Sequence, residues 1–371
     1  MARNIARWGC VLSLHALLVQ AAIPVIVNGD GSYSVASWPN SFVLESGPTA
    51  LRADGKWLST SDSSLVLHGA ALSVLGVDVW GSYNETRFDW AASSSPTTGL
   101  MRTAVRVYDV LPAVVFETTF LSSITTGGGD RENVSCSFPT FKIVPNQSPA
   151  GWIQYHGAFI NDGYNGPTFG HFNSTAGLIS GLKGGPIVVF DQSGSNTYVL
   201  SAASDFMAQS TVVFGEALHT GALGSAAVIP SGWSYSSMIY LGLGSGINPT
   251  VMAWGAALMS RYGKTRALQQ SDVTSSTLTY NTDHGVYYYY LTEKGKDYLD
   301  TLLDVHEYAI SAGIPYKVKT RLDAHVLAPV LHGVRLASTA ESLPTVVRLE
   351  MPSIRLCFST AGGTTKASAT E

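Results

Sequence analysis

The chain has 371 residues and a net charge of −4, and only 13% of its residues are charged, against a usual share of about 25%. Its 17 Tyr, 13 Phe and 8 Trp argue against disorder, its acidic balance argues against a basic nucleic-acid binder, and its 37 Gly and 16 Pro argue against a long coiled coil. The composition favours a β-rich globular protein with room for one large or two ordinary domains.

Residues 1–22 have the pattern of a secretory signal peptide. Arg3 and Arg7 give a positive start, an apolar stretch follows, and Ala21 offers a cleavage position after small residues. A membrane anchor is the alternative, but about a dozen apolar residues are too few to cross ~30 Å of hydrocarbon. We therefore expect cleavage and a protein that is secreted or lies in the lumen of the secretory or endolysosomal pathway, with no membrane segment left.

Four Asn-X-Ser/Thr sequons agree with that location, and each is a candidate glycosylation site. They lie at Asn84, Asn133, Asn146 and Asn173. Cys136 and Cys357 remain after signal removal and could pair in a disulfide, although nothing in the sequence requires it. No Cys spacing or HExxH pattern indicates a metal site, and we expect no cofactor.

Residues 23–247 have the pattern of many short β-strands separated by turns. The clearest predicted strands are 103–109, 113–120, 186–190, 197–201 and 237–242. Pro112 separates the first two, which predicts a hairpin. This density of strands predicts a large β-sandwich domain.

The pattern changes at Asn248, where we predict a linker segment, 248–272, built around one helix. Asn248 is a favourable N-cap residue, and Pro249 suits the first helical position because its missing N–H costs nothing there. Good helix formers follow, and Gly263 is typical of a helix end.

Residues 273–317 carry the clearest α/β pattern. A short strand at 276–280 precedes a loop with four consecutive tyrosines, an amphipathic helix at 297–312 and a second strand. Asp297 is the expected N-cap of that helix and Gly313 its expected end. Strand, loop, helix and strand predict a βα unit whose strands pair in parallel.

The stretch TYNTDHGVYYYYLTEKGKDYLDTLLDVHEYAISAGIPYK, 279–317, resembles the opening strand, loop and helix of the catalytic barrel in secreted glycoside hydrolases of the broad alpha-galactosidase-like class. Trp254-Gly255 and Tyr262-Gly-Lys-Thr-Arg266 resemble the helix that links sandwich and barrel in these proteins. Segments 105–117 and 185–191 resemble strands of their sandwich.

This resemblance implies a mainly β chain, with a galactose-mutarotase-like supersandwich followed by the start of a (β/α) TIM barrel. In such barrels the active site lies at the C-terminal ends of the strands. The resemblance implies that Asp283 could bind sugar hydroxyls and that Tyr287 and Tyr288 could stack on sugar faces. Alternatively, Asp283 bonds its own turn and the tyrosines pack between the domains.

Residues 318–371 depart from the family and from the rest of the chain. Only Phe358 among all Phe, Tyr and Trp residues lies there, and six Lys and Arg against four Asp and Glu make this segment positive. We expect an aberrant or disordered tail that comes from a retained intron or a frame error in the gene model, and not from the natural coding sequence. A genuine divergent extension is the alternative.

Glycoside hydrolysis needs two positioned carboxyl groups, which the resembling families supply from later barrel strands. This sequence carries the first βα unit and the start of the second strand, so we assign no catalytic residue. The leading hypothesis is the N-terminal part of a secreted glycoside hydrolase-like protein that acts on carbohydrate and is catalytically incomplete in this sequence. Upstream carboxylates are expected to be loop residues of the sandwich: Asp89, Asp162, Asp191 and Asp205.

The alternative is a non-catalytic carbohydrate-binding or surface β-sandwich protein. Four tryptophans could stack on sugars, although a Trp in a β protein is more often part of the core. They are Trp80, Trp90, Trp152 and Trp233. Under either hypothesis the partner is carbohydrate, and no nucleic acid or membrane partner is expected.

Overall fold

A computed structural model describes residues 25–36, 43–130, 133–142, 151–155, 167–171, 184–214, 217–281, 291–320, 349–351 and 354–356. The chain divides into two compact units, one reaching to Gly263 and one starting at Lys264. No helix in the described part of the chain is both long and apolar enough to cross a membrane.

The first unit is almost entirely β-structure. Its described elements, in chain order, are β1 (Val25–Val27), β2 (Tyr33–Ala36), β3 (Val43–Glu45), β4 (Ala50–Ala53), β5 (Lys56–Ser59), β6 (Leu65–Leu67), β7 (Leu72–Asp78), β8 (Gly81–Ala92), β9 (Gly99–Tyr108), β10 (Ala113–Phe120), β11 (Ile124–Thr125), β12 (Cys136–Ser137), β13 (Thr140–Lys142), β14 (Gly151–Gln154), β15 (Thr168–His171), β16 (Ile187–Phe190), β17 (Thr197–Ala202), β18 (Gln209–Phe214), β19 (Ala217–Ala222), β20 (Val228–Ile229), β21 (Ser234–Gly242) and α1 (Ile247–Arg261). The five strands predicted most clearly are confirmed as β9, β10, β16, β17 and β21, and the mainly β fold class is confirmed with them.

Ten strands form one large antiparallel sheet. Their order is β15-β14-β16-β17-β21-β10-β9-β8-β6, and β7 pairs with β8 beside this path. The 12-residue strand β8 pairs with two different strands along the same edge. Its residues 81–87 pair with β7, and its residues 90–92 pair with β6. The β9–β10 pair is the predicted hairpin, with Phe116 opposite Val105.

A second layer of short strands covers one face of the large sheet, as in a β-sandwich. It contains the groups β1-β2-β3, β13-β19-β18, β12-β4-β5 and β11-β20. Aromatic side chains join the layers, since the ring of Phe116 in the large sheet lies 5.1 Å from Tyr33 and 5.8 Å from Phe141. A neighbouring cluster of the same core places Trp90 and Met101 against Leu51.

Helix α1 packs on the opposite face of the same sheet. Its Ala257 and Trp254 lie against Met238 and Tyr240 of β21. The Trp254 indole donates to the Ser201 hydroxyl on β17 at 2.9 Å. The centre of the large sheet is therefore covered on both faces, which explains why β21 is a nearly continuous run of buried residues.

The start of α1 differs from the prediction. The helix begins at Ile247, with Gly246 rather than Asn248 as its N-cap residue and with no side-chain cap. Gly246 has φ +85°, so the turn out of β21 uses a left-handed glycine, and the Thr250 hydroxyl donates to its carbonyl at 2.6 Å. Pro249 is still tolerated, because backbone N–H groups throughout the first turn have no helical partner.

The second unit contains α2 (Arg266–Ser271), α3 (Val273–Ser276), β22 (Leu278–Asn281), α4 (Tyr298–Ser311), β23 (Tyr316–Thr320), β24 (Leu349–Met351) and β25 (Ile354–Leu356) in its described residues. Strands β22 and β23 pair in parallel, which confirms the predicted strand-helix-strand unit. Its continuation into a barrel stays a prediction.

Local signals placed α4 correctly. The Asp297 carboxylate accepts from the backbone N–H of Asp300 at 2.8 Å, which is the predicted N-cap, and Gly313 follows the helix with φ +70°. Strand β22 starts at Leu278, two residues later than predicted, because Ser276 belongs to the short helix α3. The backbone N–H of Ser276 donates to the backbone carbonyl of Asp272 at 2.9 Å. Most of the segment 318–371 lies outside the described residues.

Candidate functional site

Several predicted sites lie outside the described residues. They are the signal segment 1–22, the sugar-binding candidates Asp283, Tyr287 and Tyr288, the sequons at Asn146 and Asn173, and Asp162. The two remaining sequon asparagines are described: Asn84 is exposed on β8, and Asn133 is half-buried with its side-chain oxygen bound to the Val134 N–H at 2.8 Å.

None of the four tryptophans considered for sugar stacking is exposed, because Trp80, Trp90 and Trp152 are buried in the core and Trp233 is partly buried against it. The Trp80 indole donates to the Ala257 carbonyl under α1 at 2.8 Å. Trp90 donates to the Thr103 hydroxyl at 2.8 Å, and Trp233 stacks on Phe120 with 17° between the rings. These side chains stabilise the sandwich and its helix, as is usual for Trp in a β protein.

The upstream carboxylates that the structure describes do not converge on one point. Asp89 forms a two-bond ion pair with Arg102, at 2.6 and 2.8 Å. Asp205 lies in a turn with φ +45° and accepts from the Ala208 N–H through its backbone carbonyl. Asp191 organises the turn after β16. Asp191 and Asp205 are loop residues, as predicted, whereas Asp89 lies within strand β8 and not in a loop.

A charge network that sequence reasoning did not identify lies on the outer face of the large sheet. Glu85 is 1% exposed and accepts from both Arg87 and Arg106, and Arg106 also contacts Glu117 at 2.8 Å. Burial works to lower the pKa of Arg106, but Glu117 and Glu85 outweigh it and hold the pKa above its ordinary value. Each of the two carboxylates forms an ion pair with at least one arginine, so the network is suited to stabilising the sheet rather than to transferring protons.

Cys136 is a buried free thiol in the core between the layers. Its sulfur accepts from the Tyr235 hydroxyl at 3.5 Å and lies 3.7 Å from the Met101 sulfur. Burial raises the pKa of Cys136 to about 12, and the bond from Tyr235 opposes only part of this shift. A thiol in this setting is unreactive at neutral pH.

The candidate site is an open groove of about 420 Å³ at the edge of the large sheet, where β15, β14 and β16 run side by side. Its volume lies within the range of small-molecule sites, which is about 300–1,000 Å³. It is lined by Gly151, Trp152, Phe169, Gly170, His171, Phe190, Asp191 and Gln192.

Strand register explains the shape of the groove. Gly151 lies directly opposite both His171 and Phe190, so these three residues form one row across the strands. Because Gly151 has no side chain, the Phe190 ring lies over its backbone, and a Cβ there would come within 2.5 Å of the ring. Phe169, two residues before His171 on the same face, is 81% exposed.

Polar groups border this aromatic surface. The Asp191 carboxylate is held by the Ser193 hydroxyl at 2.8 Å and by the Asn196 side-chain amide at 2.7 Å. Burial works to raise the pKa of Asp191, but these bonds outweigh it, and the pKa lies below its ordinary value. His171 and Gln192 add exposed polar side chains to the rim.

The groove therefore offers apolar rings next to a fixed ionised acceptor. That lining suits a neutral ligand with one apolar face and several hydroxyl groups. Within the described ranges, no group of three or more His, Cys, Asp or Glu side chains could hold a metal ion. Sequence reasoning named only Trp152 and Asp191 of this lining, since nothing local shows that residues 151, 171 and 190 become neighbours.

No protein-family model matches the chain, and no curated protein matches it. A solved structure of a quadruple mutant of the alpha-N-acetylgalactosaminidase from Bifidobacterium bifidum is similar, with a TM-score of 0.42 and 11% identity over 79% of this chain and 49% of that one. A variant of a GH36 alpha-galactosidase from Geobacillus stearothermophilus in complex with 1-deoxygalactonojirimycin is also similar, with a TM-score of 0.40 and 9% identity over 77% of this chain and 40% of that one.

The chain thus spans less than half of each of these proteins. Both TM-scores are below 0.5, so the similarity to glycoside hydrolases is coarse and says nothing about activity.

Proposed function

We propose that this chain is the N-terminal part of a secreted glycoside hydrolase-like protein that acts on carbohydrate, and that the chain is catalytically incomplete by itself. The observation that supports the proposal most is the order of elements along the chain. A large antiparallel β-sandwich is followed by helix α1 and then by a parallel strand-helix-strand unit. This is the order that the sequence resemblance to the alpha-galactosidase-like class implies.

Catalytic incompleteness is proposed from the chemistry of the carboxylates. Hydrolysis by this class of enzyme needs two carboxyl groups on opposite sides of the scissile bond. In the described part of the chain, Asp89, Glu85 and Glu117 are each held by an arginine, and Asp191 is held by its own turn. Asp191 is the one carboxylate among the described residues that line the groove, and none of the other three lies there to act as the second.

The test uses the full chain with aryl α-galactosides and α-glucosides, together with a glycan array. We expect binding to at least one glycan and no release of the aryl group above that from a heat-denatured sample. Hydrolysis would contradict catalytic incompleteness. Absence of both hydrolysis and binding would contradict a carbohydrate function altogether.

The groove supports a second candidate, which is a non-catalytic carbohydrate-binding protein. Its test is Phe169→Ala, which removes an exposed ring from the groove and should weaken glycan binding about tenfold, or roughly 1.4 kcal/mol. Met207→Ala is the matched control, because Met207 is 93% exposed elsewhere on the first unit. If Phe169→Ala and Met207→Ala bind the glycan equally well, the groove is not the binding site.

A further inference from the structure

Strand β7 is an apolar edge of the large sheet. It pairs with β8 on one side, and no other strand of the described residues pairs with it. Leu75 and Val77 are 84% and 77% exposed, and Leu72 is 57% exposed. Edge strands of this length usually carry lysines, a proline or a bulge that prevents pairing with another chain.

None of those protections occurs between Leu72 and Val79. The only charged residue of this stretch is Asp78, and its carboxylate accepts from the Tyr108 hydroxyl at 2.7 Å and from the Trp80 N–H at 2.8 Å. Uncovered, such a surface favours association with a second chain. Something else must therefore cover β7 in a protein that stays monomeric.

Asn84 lies in the position to provide that cover. It is the direct cross-strand partner of Leu75, so the two side chains share one face of the sheet with Ser73 and Val77. Asn84 is exposed, and its side-chain oxygen accepts from the Ser73 hydroxyl at 3.0 Å. This bond directs the side-chain amide towards β7. It involves only the oxygen Oδ1 of Asn84 and not the nitrogen Nδ2.

We propose that an N-linked glycan on Nδ2 of Asn84 covers Leu75 and Val77 of β7 and keeps this edge from pairing with a second copy of the chain. Asn84 begins the sequon Asn84-Glu85-Thr86. The proposal rests on passage through the secretory pathway and is independent of any action on carbohydrate. A glycan is bulky and strongly hydrated, so it shields apolar surface without needing a specific contact.

The modification uses a lipid-linked oligosaccharide as donor. Nδ2 of Asn84 attacks carbon C1 of the first sugar, the N–C1 bond forms and the C1–O bond to the lipid pyrophosphate breaks. The pyrophosphate leaves with the bonding electrons, and one Nδ2 proton passes to a base. The side-chain oxygen takes no part, so the hydrogen bond from Ser73 is retained in the product.

The experiment expresses the full chain in a cultured animal cell line and measures glycan occupancy by peptide mass spectrometry, mass in solution by light scattering, and binding of an apolar dye. We expect an occupied Asn84 and a monomer. We expect Asn84→Gln to form dimers or larger species with at least a roughly twofold rise in dye fluorescence. Removal of the glycan from the folded wild type by an endoglycosidase should have the same effect, which separates shielding from a folding defect.

Two further variants make the test specific. Asn133→Gln removes a sequon that lies outside the strands of the large sheet and should leave the protein monomeric. Adding Leu75→Lys and Val77→Lys to Asn84→Gln should restore the monomer, because lysines replace the missing cover on the edge. An unoccupied Asn84, a deglycosylated protein that stays monomeric with unchanged dye binding, or a failure of the two lysines to restore the monomer would each overturn the proposal.

Discussion

The buried carboxylate of Glu85, on the outer face of the large sheet, is expected to be important for the stability of the fold. Its carboxylate lies between Arg87 and Arg106, and its loss leaves Arg106 largely buried with Glu117 as its remaining acidic contact. We expect Glu85→Ala to lower the free energy of unfolding by about 3 kcal/mol, because breaking a buried ion pair leaves a poorly compensated charge. Urea denaturation measures this change.

Lys142→Ala provides the matched control. Lys142 and Glu45 also form an ion pair, but their charged atoms are 4.0 Å apart and both side chains are more than half exposed. The free energy of unfolding should change by less than ~1 kcal/mol, since water screens such pairs. Equal losses in the two variants would show that the buried network contributes no more than a surface pair.

At the scale of elements, the contact between β21 and α1 depends on a glycine. A Cβ on Gly242 would lie 1.7 Å from the Thr250 hydroxyl oxygen and 2.6 Å from its Cβ. We expect Gly242→Ala to lower the free energy of unfolding by about 1–3 kcal/mol, because the helix must move away from the sheet to accept the added methyl group. Thermal and urea unfolding measure the effect.

Gly255 tests whether this loss comes from the close approach. It lies within α1, and a Cβ there would meet no atom within 4 Å. Gly255→Ala should therefore raise stability by up to ~1 kcal/mol, since alanine is the better helix former. A loss of stability in Gly255→Ala as large as that in Gly242→Ala would contradict this explanation. The close approach of Thr250 to Gly242 would then not be the cause of the loss in Gly242→Ala.

For the whole molecule, the division after Gly263 predicts where a protease cuts. Lys264 and Arg266 are exposed and follow the first unit directly. We expect brief trypsin treatment to cut at these residues and to leave a resistant fragment ending near Gly263, because α1 is held to the sheet by Trp254 and Tyr262. Mass spectrometry identifies the fragment.

A variant with Lys264→Gln and Arg266→Gln should lose this fragment under the same conditions. Resistance of the wild type through residue 320 would contradict the prediction. The boundary lies inside the predicted linker 248–272, and α1 packs on the sheet of the first unit.

Local signals in the sequence were enough to place several elements. Strand β10 has the predicted bounds, because a run of β-branched and aromatic residues follows Pro112 directly. Helix α4 lies between Asp297 and Gly313, where a carboxylate satisfies free N–H groups at one end and a left-handed glycine ends the other. Such signals act over a few residues, so they can be recognised without a structure.

The groove, the charge network and the exposed edge were decided only by the tertiary structure. Gly151, His171 and Phe190 meet because of the register of three strands, and Glu85 and Arg106 meet because β8 pairs with β9. The apolar residues of β7 resemble those of a core strand in sequence, but the strand lies at an edge. Strand order and register are set by contacts between distant residues, so residue patterns alone cannot show which apolar strand is covered and which polar groups become neighbours.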